Sequence, residues 1–203
     1  MGVATLMFRT MLRLARNAAT SAALIGILIA AGPVSASVVI AVDLPELTAE
    51  ADRIVVGRVV GIEPTRVAGG MIRTRHRMQV EQDLRGSGDR EIIVETLGGQ
   101  IGPLIMRVEG EPSFELGERA LVFVRKDGDA VCRPIGMAQG VMRIVREGGR
   151  DMVAPNLGGI LLVSPNASGW MVKSAGPLPA REDLDSFLSR VREIIETQRS
   201  VAR

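Results

Sequence analysis

Histidine and cysteine are almost missing from this 203-residue chain, which has one of each, His76 and Cys132. A metal site built from several His or Cys ligands, a two-cysteine redox motif and an internal disulfide framework are thereby excluded. Aromatic residues are nearly as scarce: four Phe, one Trp and no Tyr. Stacking platforms for bases or sugars are hard to assemble from so few rings. The sequence also lacks a Gly-x-Ser-x-Gly elbow, a P-loop and a dinucleotide-binding fingerprint. Against these absences stand 46% hydrophobic and 24% charged residues, the composition of one globular domain with a terminal appendage.

The appendage is residues 1–36. Arg9, Arg13 and Arg16 form a basic start, an apolar run extends from Ala18 to Gly32, and Val34-Ser35-Ala36 supplies a small-residue cleavage pattern. Such a segment reads as a signal peptide cut between Ala36 and Ser37, which places the protein in the periplasm or outside the cell. A retained membrane anchor is the competing reading, but a spanning helix needs about 20 apolar residues. No membrane span is therefore expected to remain after cleavage. Loss of the three arginines leaves 22 basic against 23 acidic residues, a formal charge of −1 in place of +2. The basic balance that would suit a nucleic acid disappears with the leader, and no nucleic-acid partner is expected.

The mature chain begins with an apolar segment, residues 37–42, that either pairs as a strand or drapes over the core. Residues 43–52 read as a short helix with Asp43 as its N-cap and Pro45 in its first turn. From there the hydrophobic period changes to two. Residues 54–62 form a β-branched strand broken by Gly57 and Gly61, as in a bulged strand. Residues 71–80 alternate strictly, with Arg73, Arg75 and Arg77 on one face and Ile72, Thr74, His76 and Met78 on the other. Further strands are expected at 91–96, 120–124, 130–135, 141–145 and 151–154. Lys126-Asp-Gly-Asp129 signals a hairpin, and one short strand is expected at 104–108. Residues 155–179, rich in Pro, Gly and Asn, read as a linker or irregular flap. Residues 180–203 hold an amphipathic helix with Leu184, Phe187, Leu188, Val191, Ile194 and Ile195 on one stripe.

The fold class is thus mainly β: a small barrel or sandwich over 37–154, with a short N-terminal helix and a C-terminal amphipathic helix. No catalytic site and no cofactor are expected. His76 lies on the apolar side of its strand beside three arginines, which suits a buried core histidine better than a general base. The paired carboxylates Glu109/Glu111 and Glu115/Glu118 read as solvated loop charges. Cys132 reads as a buried thiol, with a reactive or intermolecular thiol as the alternative.

Three features point to binding. The stripe Arg73, Arg75 and Arg77 either grips an acidic partner or protects an edge strand from aggregation. The connection from Gly98 to Gly117 exceeds the ~12–15 residues usual for structureless loops. Within it Gly98, Gly99, Gly102 and Phe114 are the candidate contact residues. Asn166-Ala-Ser168 is formally a glycosylation sequon.

Three segments stand in a recognisable order: Leu-Thr-Ala-Glu-Ala-Asp-Arg-Ile-Val-Val-Gly-Arg-Val at 47–59, Gln-Val-Glu-Gln-Asp-Leu-Arg-Gly at 79–86, and Phe-Glu-Leu-Gly-Glu-Arg-Ala-Leu-Val-Phe-Val at 114–124. Over residues 43–146 the layout resembles netrin-like OB-fold modules related to tissue inhibitors of metalloproteinases, and exported bacterial proteins with the same strand pattern. The resemblance implies a five-stranded, closed or partly open Greek-key barrel that binds through one end. Tissue inhibitors carry several disulfides and an N-terminal cysteine; here only Cys132 is present and Ser37 begins the mature chain, so no inhibitory residue transfers. The expectation is an exported, non-enzymatic module that binds another exported protein. A regulator or inhibitor of a secreted metallopeptidase and an envelope-structural protein, the latter marked by a Cys132-linked dimer, are the alternatives.

Overall fold

A computed structural model describes residues 37–128, 130–157, 160–174 and 181–201. The leader and its Ala36–Ser37 junction lie outside the described residues on the Ala36 side; Ser37 opens the first strand. The protein is mainly β with a C-terminal helix. In chain order the elements are β1 (Ser37–Ile40), α1 (Leu44–Glu50), β2 (Arg53–Arg66), β3 (Ile72–Arg85), β4 (Glu91–Leu97), β5 (Gly99–Ile101), β6 (Leu104–Met106), β7 (Arg119–Asp127), β8 (Val131–Pro134), β9 (Val141–Glu147), β10 (Arg150–Pro155), β11 (Ile160–Pro165), β12 (Met171–Lys173), β13 (Glu182–Asp183) and α2 (Leu184–Val201).

The central sheet runs β13-β10-β9-β7-β2-β3-β4-β8, and β8 also pairs with β7. Pairing therefore passes from β7 through β2, β3, β4 and β8 and returns to β7. All of these junctions are antiparallel except β4–β8, which is parallel and rests on the bridge between Val94 and Cys132. Two long strands, β2 and β3, dominate the ring. Their register shifts between Ile54 and Val55, between Val56 and Gly57, and between Val59 and Gly61, so the expected bulging at the two glycines is present.

Alternation along β2 and β7 divides the core in two. Ile54, Val56, Leu121 and Phe123 face a cluster completed by Leu47 of α1 and by Phe187, Leu188, Val191 and Ile195 of α2. Val55, Val59, Ala120, Val122 and Val124 face the other way, into a cluster with Met78, Val94, Phe114 and Cys132. Strands buried on both faces read as near-continuous apolar runs, which is how β7 reads. The apolar stripe of α2 is consumed by its own sheet, so the helix is part of the core rather than an appendix to it. α1 starts where its cap predicts: the Asp43 carboxylate accepts the Glu46 N–H at 2.8 Å.

Where a linker or irregular flap is expected at 155–179, the described residues hold two strands. β11 pairs in parallel with β1 and antiparallel with β12, giving a separate three-stranded sheet. The apolar segment that opens at Ser37 is thus a paired strand. A fully buried side chain, Gln139, fastens its end: Oε1 accepts the Val42 N–H at 2.9 Å and Nε2 donates to the Ile40 carbonyl at 3.0 Å. Among the described residues, no helix is long and apolar enough to cross a membrane.

Candidate functional site

The chain between β4 and β7 folds back over the ends of β2 and β3. Its first turn depends on glycine. Gly98 sits at φ +94°, and a Cβ there would lie 2.8 Å from the Met106 carbonyl oxygen. Gly99, at φ +135°, passes so close to Thr74 that a Cβ would overlap the threonine hydroxyl. That approach lets Thr74 donate to the Gly98 carbonyl at 2.6 Å and the Gly98 N–H to the Ile72 carbonyl at 2.8 Å. β5 and β6 then form a small hairpin where the sequence suggests one strand, turning at Gly102, whose φ is +57° and whose surroundings are open. At the far end Gly117 N–H donates to the Val59 carbonyl and Val59 N–H to the Glu118 carbonyl, both at 2.8 Å. The segment is pinned at both ends. Gly99→Ala should therefore cost about 1–3 kcal/mol through backbone strain alone, before the clash with Thr74 is added. Thermal unfolding should show that loss, with faster hydrogen exchange at the Gly98 amide; an unchanged melting temperature would remove glycine from its assigned part.

Between this segment and the strand ends lies a cleft of about 610 Å³. That is the size of a small-ligand site. Ile62, Pro64, Ile105, Met106, Val108 and Phe114 supply its apolar lining; His76, Thr96 and Glu111 supply polar groups. Ile105 is 58% exposed and Ile62 37%, so apolar surface at the cleft remains open to solvent.

His76 is buried, as its strand pattern predicts, but only one of its nitrogens is satisfied. Nε2 lies 2.9 Å from the Thr96 hydroxyl, whereas Nδ1 is buried without a hydrogen-bond partner among the described residues. The ring sits 4.8 Å from that of Phe114. Burial pushes the imidazole pKa down to about 4, so it is neutral at neutral pH. Phe114 belongs to the interior cluster rather than to an exposed contact surface. Its ring bounds the cleft from within.

Glu111 corrects the expectation of solvated loop carboxylates. It is half-buried, accepts the Leu97 N–H at 3.2 Å, and burial raises its carboxyl above the ordinary value. Glu109, two residues away, is exposed. Glu118 is also half-buried, with Arg143 Nε 2.8 Å from its carboxylate. Nothing local in the sequence separates Glu111 from Glu109; only the return of the chain under the loop does so.

The arginine stripe is placed as expected on the outer face of β3, but it is not free. Arg73 and Arg75 converge on buried Glu95 of β4 at 3.1 and 3.3 Å, and Arg133 of β8 reaches the same carboxylate at 2.9 Å. Arg77 lies 3.8 Å from Glu91 and 4.0 Å from Glu63. β3 is an interior strand, flanked by β2 and β4, so protection of an edge is not what the arginines do. They cover one buried acid and cross-link three strands.

Cys132 lies at the β4–β8 bridge, buried, with its thiol pKa pushed up by that burial. A thiol so placed is a poor nucleophile. It borders a second cavity of about 340 Å³, together with Arg53, Asp89 and Lys126. Asn166 of the sequon caps the β11–β12 turn, its Oδ1 accepting from Ser168 and Trp170 N–H groups at 3.0 and 2.9 Å. Among the described residues, no group of three or more His, Cys, Asp or Glu could hold a metal ion.

No protein-family model matches the chain, and no curated protein matches it either.

Proposed function

We propose that this protein is an exported, non-enzymatic binding module built on a small OB-like Greek-key barrel, and that it receives a segment of another exported protein in the cleft beneath the 98–117 loop. The barrel reading is supported by the pairing cycle β7-β2-β3-β4-β8-β7, with one parallel junction among antiparallel ones. It fits the five-stranded ring implied by the resemblance to netrin-like modules. The export reading rests on the leader.

The observation behind the binding reading is the cleft itself. A segment held open by glycine geometry keeps Ile62 and Ile105 at the solvent boundary, over a floor that contains a buried imidazole with an unsatisfied nitrogen. Exposed apolar side chains that line one cleft, as Ile62 and Ile105 do, suit a ligand or partner that covers them. The non-enzymatic reading is supported by the absence, among the described residues, of a third group on His76 Nδ1 to orient the imidazole against the Thr96 hydroxyl.

Affinity capture from the host's exported fraction tests the reading, with the wild-type protein and Ile105→Arg side by side. Ile105 is largely exposed, so the substitution should leave the fold intact. A partner retained by the wild type should fall at least ~10-fold with Ile105→Arg, the scale of an anchor worth about 1.4 kcal/mol. Because Arg73, Arg75 and Arg77 are engaged by Glu95, Glu91 and Glu63, capture should survive high salt. Identical partners on both proteins, or release by salt alone, would overturn the cleft as the binding place.

A further inference from the structure

Arginine is abundant in this chain, and Lys126 and Lys173 are its only lysines. Those arginines are used systematically. Among the described residues, six acidic residues are buried or half-buried when backbone and side chain are taken together: Glu95, Glu111, Glu118, Asp151, Glu182 and Asp183. Four of them have arginine partners. Glu95 has three, Asp151 has Arg119 and Arg146, Glu118 has Arg143, and Glu182 has Arg190. Asp183 accepts the Ser186 N–H at the start of α2, so a helix N-terminus serves it instead. Glu111 alone has neither. One of its oxygens accepts a backbone N–H, and no cation pairs with it among the described residues.

The exception stands in the wall of the cleft. Arg133, the cation that lowers the Glu111 pKa from a distance, is already committed to Glu95 and Asp127. The other charges lining the cleft are the exposed Arg107 and Glu109, of opposite sign. With Glu111 included, the cleft carries a formal charge of −1, and His76 adds none. A half-buried carboxylate without a counter-ion is costly to ionise, which is why burial moves its pKa upward. An entering cation would reverse that cost. An entering carboxylate or phosphate would add to it.

We propose that the cleft takes an organic ammonium group on an apolar body, with Glu111 as its counter-ion and the Ile62, Ile105 and Phe114 walls around the apolar part. The inference rests on the cleft being the binding place and assigns the chemistry that enters it. The ammonium has two sources, a free amine or the amino terminus of a peptide, and both present the same group.

Hexylamine, hexanol and hexanoate share one apolar chain and differ only at the head. Titrating each into the protein near neutral pH, by calorimetry and by methyl NMR of Ile62 and Ile105, compares the heads directly. Hexylamine should bind about 10-fold tighter than hexanol, as a charge-assisted hydrogen bond implies, and hexanoate should bind weakest. Glu111→Gln keeps the shape and an oxygen for the Leu97 N–H. It should erase the amine preference while leaving hexanol affinity unchanged. A preference that survives Glu111→Gln, or equal binding of amine and alcohol, overturns the ammonium assignment. If hexanol nevertheless binds and is lost with Ile105→Arg, the cleft remains a site for a different ligand. Failure of all three to bind saturably overturns the assignment and the cleft together. A hexapeptide with a free apolar amino terminus and its N-acetylated twin separate the sources. A peptide that binds tighter than hexylamine and loses binding on acetylation identifies a protein amino terminus; one no tighter than hexylamine identifies a free amine.

Discussion

Phe187→Ala is expected to remove about 3–5 kcal/mol of stability, the usual cost of emptying a buried phenylalanine site. The ring is fully buried on the stripe of α2 and belongs to the cluster that contains Leu121 and Phe123 of β7 and Ile54 of β2. With Leu188, Val191 and Ile195 it forms the contact that joins helix to sheet, so collapse around the cavity is limited from both sides. A domain of this size has about 5–15 kcal/mol in total. The variant should therefore unfold at much lower denaturant concentration, with α2 losing hydrogen-exchange protection first. A loss below about 1 kcal/mol would mean that the helix is dispensable to the core.

The second large effect depends on pH and belongs to His76. In the unfolded chain its imidazole titrates near 6.5; in the fold it titrates near 4. As pH falls below 6.5 the unfolded chain takes up a proton that the folded protein still refuses. Stability therefore declines with acidification across the window from about 6.5 to about 4 and levels off below it. The separation corresponds to about 3 kcal/mol. Asp89 and Asp151, whose carboxyls are held below the ordinary value by Ser87 and Arg53 and by Arg119 and Arg146 respectively, also lose stabilisation in acid. Comparison with His76→Gln, which keeps a polar group near Thr96 and does not titrate, isolates the histidine contribution. The wild-type curve should fall away from the variant's below pH 6.5. Parallel curves would show that the imidazole takes up its proton equally in the folded and the unfolded chain.

What the sequence disclosed and what it hid divide along one physical line. The alternation of β3, the bulged glycines of β2, the capped start of α1 and the stripe of α2 are local patterns, and each element stands where its pattern puts it. Patterns that depend on a distant partner were out of reach. β11 lies in a Gly- and Pro-rich stretch and becomes a strand because β1, far away in sequence, pairs with it in parallel. The arginines of β3 look like a free basic face until the register brings Glu95 opposite Arg75. The candidate site follows the same rule. The loop was conspicuous by its length and glycines, whereas Glu111 acquires its character only from the burial that the folded loop imposes.

The division of β2 and β7 between two apolar clusters has a consequence for the chain before it folds. Ile54–Val56 and Ala120–Val124 have no polar face to protect them, so while unpaired they are short β-prone runs of the kind that seed aggregation. Each run is bounded by cations: Arg53 and Arg58 around the first, Arg119 and Arg125 around the second. Such flanking charges act as gatekeepers against intermolecular strand pairing. After folding the same residues have new employment, Arg53 with Asp83 and Asp89, Arg58 with Glu81, Arg119 with Glu81 and Asp151, and Arg125 with Glu50. The guanidinium groups that keep the nascent strands apart are those that later tie the finished sheet to its neighbours.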